Sequence, residues 1–171
     1  MRLILCLLAL ATATSLPAQQ GGGGSPEGYG APVRDGFRRV RAATGGFAVV
    51  DSATRAGYGT PDRCYADAHH GAMGFHHVNR ALVDGRVEVE RPEILLFERL
   101  GDGSYRLNGV EYIIPFRIWP RDSMPPTVMG LELKREEQLQ LWYLHMWVWN
   151  ENSAGLFADW NPSVKCPPDP K

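Results

Sequence analysis

"EILLFERLGDGSYRLNGVEYIIPF", residues 93–116, decides the fold. Two apolar runs, 93–100 and 105–116, flank the short segment "GDGS". Asp-Gly at the tip tolerates the left-handed backbone of a tight connection, and the flanking Ile, Leu, Phe, Val and Tyr suit extended chain. The stretch predicts an antiparallel hairpin. Glu111 interrupts its second strand. On an unbroken strand it shares a face with Leu107 and Ile113. A carboxylate on a mostly apolar strand needs a cation, a metal or a donor.

Downstream, "IWPRDSMPPTVMG" (118–130) contains Pro120, Pro125 and Pro126 and reads as a long, partly extended loop. "LQLWYLHMWVW" (139–149) follows. A helix could carry such a run, but its aromatics and the turn "WNENSAG" favour a strand buried on both faces. Alternation puts Tyr143, His145 and Trp147 on one face, with Leu144, Met146 and Val148 on the other. His145 must then find a partner or carry an energetic cost. The polar, turn-rich segment 150–166 includes Phe157 and Trp160 and is expected to wrap back over the sheet.

Upstream, Val33, Phe37, Val40, Thr44, Phe47, Asp51, Thr54 and Tyr58 alternate at spacings of three and four. This is the period of an amphipathic helix, or of two in register, with Pro32 suited to the first turn. Gly45-Gly46 costs about 1 kcal/mol per Gly relative to Ala and predicts a kink or break. Gly57, Gly59 and Pro61 end the helix. Residues 65–92 read as a loop with a short irregular element. The resulting order predicts a single α+β domain over 33–171, a small antiparallel sheet packed against an N-terminal amphipathic helix. No internal repeat is visible.

The chain opens "MRLILCLLALATATSLPAQQ". One cation, an apolar run and small residues ending at Ala18 are the order of a secretory signal peptide, residues 1–18. The run is shorter than the roughly 20 residues a bilayer-spanning helix needs. No later segment is apolar enough for one, so no stable membrane insertion is expected after cleavage. Residues 19–32, "QQGGGGSPEGYGAP", read as a Gly-rich flexible leader. The formal charge of −1 becomes about −2 without Arg2 and gives no electrostatic reason to expect nucleic acid.

Export implies a periplasmic or extracellular location and an oxidising compartment. Cys6 leaves with the signal peptide, so Cys64 and Cys166 are expected to pair. A bridge closing such a loop contributes about 4–5 kcal/mol in the chain-entropy model. It would hold the C-terminal segment against the histidine-rich stretch.

The five histidines are His69, His70, His76, His77 and His145. Imidazole is the commonest protein metal ligand and titrates near neutrality. On extended chain at most one of His76 and His77 points inward. Gly71 and Gly74 let that backbone approach a neighbour closely. His69 and His70 are expected in solvent. If strand 139–149 lies beside the hairpin, His145 and Glu111 face each other and His76 approaches from its loop. Two His and one carboxylate hold a divalent metal and leave positions open. The same residues could instead form a satisfied polar cluster, or line a pocket for a small-molecule ligand. The tryptophans could line such a pocket too, although residues burying about 150–250 Å² each are mostly core. HExxH, GxSxG, phosphate-loop and GxGxxG motifs are absent from the chain.

"RPEILLFE", "GVEYIIP", "MGFHHVN" and "LHMWVWNENSAGLFADWNPSV" together resemble a group of exported bacterial proteins of uncharacterised function, over roughly residues 35–166. The resemblance implies interest in His76, Glu111 and His145 and brings no activity with it. His77 stands where the pattern has an aromatic, which favours His76 as the inward residue. Three classes of function are open: a binding protein for a metal or small molecule, a metal-dependent enzyme with bound water as nucleophile, and a structural or assembly protein.

Overall fold

A computed structural model describes residues 23–61 and 63–167. The signal-peptide segment 1–18 lies outside the described residues. Helix α1, Ala31–Thr44, has Pro32 in its first turn and buries Val33, Gly36, Val40 and Thr44. A short 3-10 turn, Gly45–Ala48, interrupts it at the expected Gly pair, and α2, Val50–Arg55, follows. The interruption shifts the phase. Ala53 is the buried residue of α2, and the exposed Thr54 of the anticipated stripe is not.

Eight strands follow: β1 Cys64–Asp67, β2 Gly71–Val78, β3 Ile94–Arg99, β4 Tyr105–Pro115, β5 Thr127–Val128, β6 Leu131–Glu132, β7 Lys134–Glu136 and β8 Leu141–Met146. Six form one antiparallel sheet in the order β1-β2-β3-β4-β8-β7, and β5 and β6 pair separately. The hairpin β3–β4 and its neighbour β8 are therefore as expected. Much of the segment expected as a loop over 65–92 is instead strand, with β2 paired to both β1 and β3. Glycines hid it. Gly71 and Gly74 have φ of 97° and 91°, and a Cβ on Gly74 would lie 2.4 Å from the Phe97 carbonyl oxygen. Gly lets β2 bend against its neighbours where any side chain would collide.

Phe75, His77, Leu95, Phe97, Leu107, Val110, Tyr112, Ile114, Trp142, Leu144 and Met146 come together on the face covered by the helices, in register across β2, β3, β4 and β8. Val33, Val40 and Ala53 complete that core. Trp149 ties the helix down: its Nε1 donates to Thr44 Oγ1 at 3.0 Å, and the Arg41 guanidinium lies 4.4 Å from its ring centre. The opposite face carries two smaller apolar clusters, Ala72–Trp147–Val164 and Ile94–Leu96–Ile113. Because both faces are covered, β3 and β4 read as nearly continuous apolar runs without clean alternation.

The register of β3 against β4 slips between Leu96 and Phe97. One extra residue on β4 reverses the facing of everything after it. Leu107 consequently joins the helix-covered core, and Glu111 faces the other way with Ile113. The shared face expected for Leu107 and Glu111 does not form.

Residues 150–166 form a strap over the second face. Asn161 pairs with Ala72, Trp147 Nε1 donates to the Ala158 carbonyl oxygen, and the strap ends in the Cys64–Cys166 disulfide. The described part of the leader expected over 19–32 touches the strap at Gly23 and Tyr29, while residues 25, 27, 28 and 30–32 are exposed. The Leu156 amide donates to the Gly23 carbonyl, and buried Tyr29 meets Phe157 edge-on. Among the described residues, no helix is long and apolar enough to cross a membrane.

Candidate functional site

His76, Glu111 and His145 meet on the strap-covered face. Antiparallel pairing sets Glu111 on β4 directly beside His145 on β8. His76 reaches them from β2, across the intervening β3. Its Nε2 is 3.4 Å from Glu111 Oε2, and His145 Nε2 is 3.5 Å from Glu111 Oε1. One donor atom from each of the three residues lies within 4.8 Å of the other two. The His145 side chain is 1% exposed, that of Glu111 8% and that of His76 15%, so His76 marks the side nearest solvent. The exposed Tyr65 stands edge-on to the His76 ring there, at 5.1 Å between centres.

These contacts are longer than ordinary hydrogen bonds, which lie at about 2.7–3.2 Å for N–H···O pairs. His76 Nδ1 and both ring nitrogens of His145 are buried without a hydrogen-bond partner. Buried imidazole nitrogens are normally satisfied; the two of His77, in the helix-covered core, are also without partners.

On the far side of the His145 ring, Nδ1 faces Asp159 Oδ1 at 3.6 Å. Asp159 comes from the strap. Lys134 Nζ donates to its Oδ1, and the Tyr143 hydroxyl donates to its Oδ2 at 3.2 Å. Lys134 also donates to the Phe157 carbonyl oxygen at 3.2 Å. His145 thus lies between two carboxylates.

The electrostatics follow from burial and charge. Burial pushes the Glu111 carboxyl up, but His145 and His76 outweigh it and hold the group below its ordinary value. For His145 burial opposes the charged ring, yet Glu111 and Asp159 prevail and raise it. Burial dominates at His76, which is lowered despite Glu111. Burial likewise pushes Asp159 up, and His145 and Lys134 reverse the sign.

The three residues expected to converge do so, and the disulfide expected to tether the strap forms. His69 and His70 are exposed in the β1–β2 turn and take no part. His77 differs from expectation. Both adjacent histidines are inside, because both faces of β2 are covered. His77 lies on the helix side with its ring 4.6 Å from that of Phe97, filling an aromatic position in the core. Sequence reasoning did not find Asp159 or Lys134. Asp159 sits on irregular chain with no period to assign it a face, and Lys134 sits on a short edge strand. Trp142 and Trp147 are core, whereas Trp119 is among the exposed large hydrophobics. A scan against protein-family models finds no match, and neither does a search of curated proteins or of solved structures.

Proposed function

We propose that this chain is an exported protein that binds a divalent transition metal through His76, Glu111 and His145. One observation carries the reading: two imidazoles and one carboxylate converge in a buried site, with donor atoms within 4.8 Å of one another and His–Glu separations longer than ordinary hydrogen bonds. Metal–ligand distances of about 2.0–2.1 Å place neighbouring tetrahedral ligands roughly 3.4 Å apart. His76 Nε2 lies 3.4 Å from Oε2 of Glu111 and His145 Nε2 lies 3.5 Å from Oε1, so each imidazole faces its own carboxylate oxygen at about that spacing. The donor atoms lie within 4.8 Å of one another, so a shared ion would require them to close toward that edge. A two-His, one-carboxylate set leaves coordination positions open for water or a small molecule. A bound metal there would polarise an oxygen ligand or lower the pKa of water, which is the chemistry a metal-dependent enzyme needs. Export is supported by the composition of residues 1–18 and by the Cys64–Cys166 bridge.

A second reading is favoured by the position of His145 between Glu111 and Asp159. A protonated His145 would then be the centre of a structural charge cluster that needs no metal. Elemental analysis of protein purified without a polyhistidine tag separates the two. The metal reading expects about one equivalent of metal, lost in His145→Ala and after chelation. The structural reading expects none in the wild type, and a loss of stability in His145→Ala. Turnover measured with and without chelator then distinguishes an enzyme from a binding protein.

A further inference from the structure

We propose that Asp159 is a positioning residue for the metal centre, orienting His145 so that its Nε2 lone pair faces Glu111 and the ion. The proposal rests on the metal reading above. Asp159 Oδ1 is 3.6 Å from His145 Nδ1, on the opposite side of the ring from Glu111. A shift of roughly half an ångström brings the pair within hydrogen-bond reach.

In a neutral imidazole one nitrogen carries the proton and the other presents a lone pair. A carboxylate can only accept, so Asp159 selects the form with the proton on Nδ1 and leaves Nε2 free for the metal. Asp159 is itself braced. Lys134 donates to the oxygen that faces the ring, and Tyr143 donates to the other. The Tyr143 ring also stands edge-on to His145 at 5.6 Å between centres. Lys134 is anchored by the Phe157 carbonyl, two residues before Asp159, so strap and sheet are joined at this point. The strap therefore supplies an outer layer of the site as well as covering the sheet.

The test is a Co²⁺ titration of the metal-free full chain, followed by its ligand-field absorption, with Zn²⁺ competition to give affinity. His145→Ala should remove binding. Asp159→Asn should weaken it by about 10–100-fold and shift the ligand-field bands, because the Asn amide can donate to Nδ1 and favour the wrong tautomer. Asp159→Glu, which keeps the carboxylate, should recover a large part of the affinity. Tyr143→Phe, which removes a single hydroxyl, should weaken binding by about fivefold. Wild-type affinity and wild-type spectrum in Asp159→Asn would overturn the role of Asp159 while leaving the metal reading intact. If Asp159→Asn fails to fold, as judged by circular dichroism, unchanged affinity in Tyr143→Phe overturns it instead. A wild-type chain that takes up neither Co²⁺ nor Zn²⁺ would sink both.

Discussion

The two faces of the central sheet treat a buried carboxyl in opposite ways. Glu93, near Tyr58 and Tyr112 of the helix-covered core, is 1% exposed and accepts a backbone hydrogen bond from the Ile113 amide at 3.1 Å. Burial pushes it up to about 8. Glu111 starts on the same strand system and is almost as buried, yet two imidazoles hold it below its ordinary value. Apolar surroundings make a carboxyl keep its proton, whereas a neighbouring cation or imidazole lets it ionise. The first face is built for cohesion. The second gives up apolar contact to keep an ionised group between two imidazoles.

The largest predicted effect falls on the strap that closes the second face. Replacing Cys64 and Cys166 with Ser removes a bridge spanning a sequence separation of 102 residues. The loss should be about 4–5 kcal/mol of unfolding free energy in denaturant titration. Metal affinity should fall with it, since Asp159 sits on the released segment. Next comes the helix-covered face. Phe97→Ala, at a fully buried position, should cost about 3–5 kcal/mol, with metal affinity of the folded fraction unchanged. If Phe97→Ala also abolished metal binding, the two faces would not be independent.

A smaller effect comes from the ion itself. Zn²⁺ at a hundred times its Kd should stabilise the wild type by about 2.7 kcal/mol, read as a rise in Tm. His145→Ala should show no such rise. Glu93 contributes its own pH dependence. Its folded value of about 8 lies above its ordinary 4.5, so the folded state holds the proton longer. Its contribution to stability is complete below about pH 4.5 and is lost as pH rises through about 8. Its own share of the slope between those values approaches about 1.4 kcal/mol per pH unit, read as the difference between wild type and Glu93→Gln, because His77, lowered to about 4 by burial, contributes with the opposite sign below about 6.5. The smallest effect is expected from removing the whole polar cluster. Leu at 76, 111 and 145 together should change stability by about 1 kcal/mol or raise it, because a buried ionic group replaced by apolar residues is often neutral. Metal uptake should vanish. A collapse of the fold in that triple variant would favour a structural role for the cluster.

Much of this architecture was legible in the residues. The Asp-Gly tip flanked by apolar runs specifies a hairpin because few turn types fit so short a connection. The three-and-four spacing from Val33, with its Gly pair, specifies a helix and its break. Glu111 and His145 on apolar strands, with His76 approaching from its expected loop, pointed to a shared site. The pairing of Cys64 with Cys166 followed from counting. These are local properties, set by backbone sterics and by the period with which apolar side chains recur.

Other features were decided only by tertiary structure. Strand β2 looked like a loop because Gly71 and Gly74 erase its alternation, and its partners lie far away in the chain. The slip beside Leu96 set which way Glu111 faces, since a single unpaired residue reverses a strand and pairing is a property of two strands. Asp159 reaches His145 only because the strap is held by Ala72, Lys134 and the disulfide. Sequence spacing records how a segment faces its own neighbours; which distant segment lies opposite is settled by packing.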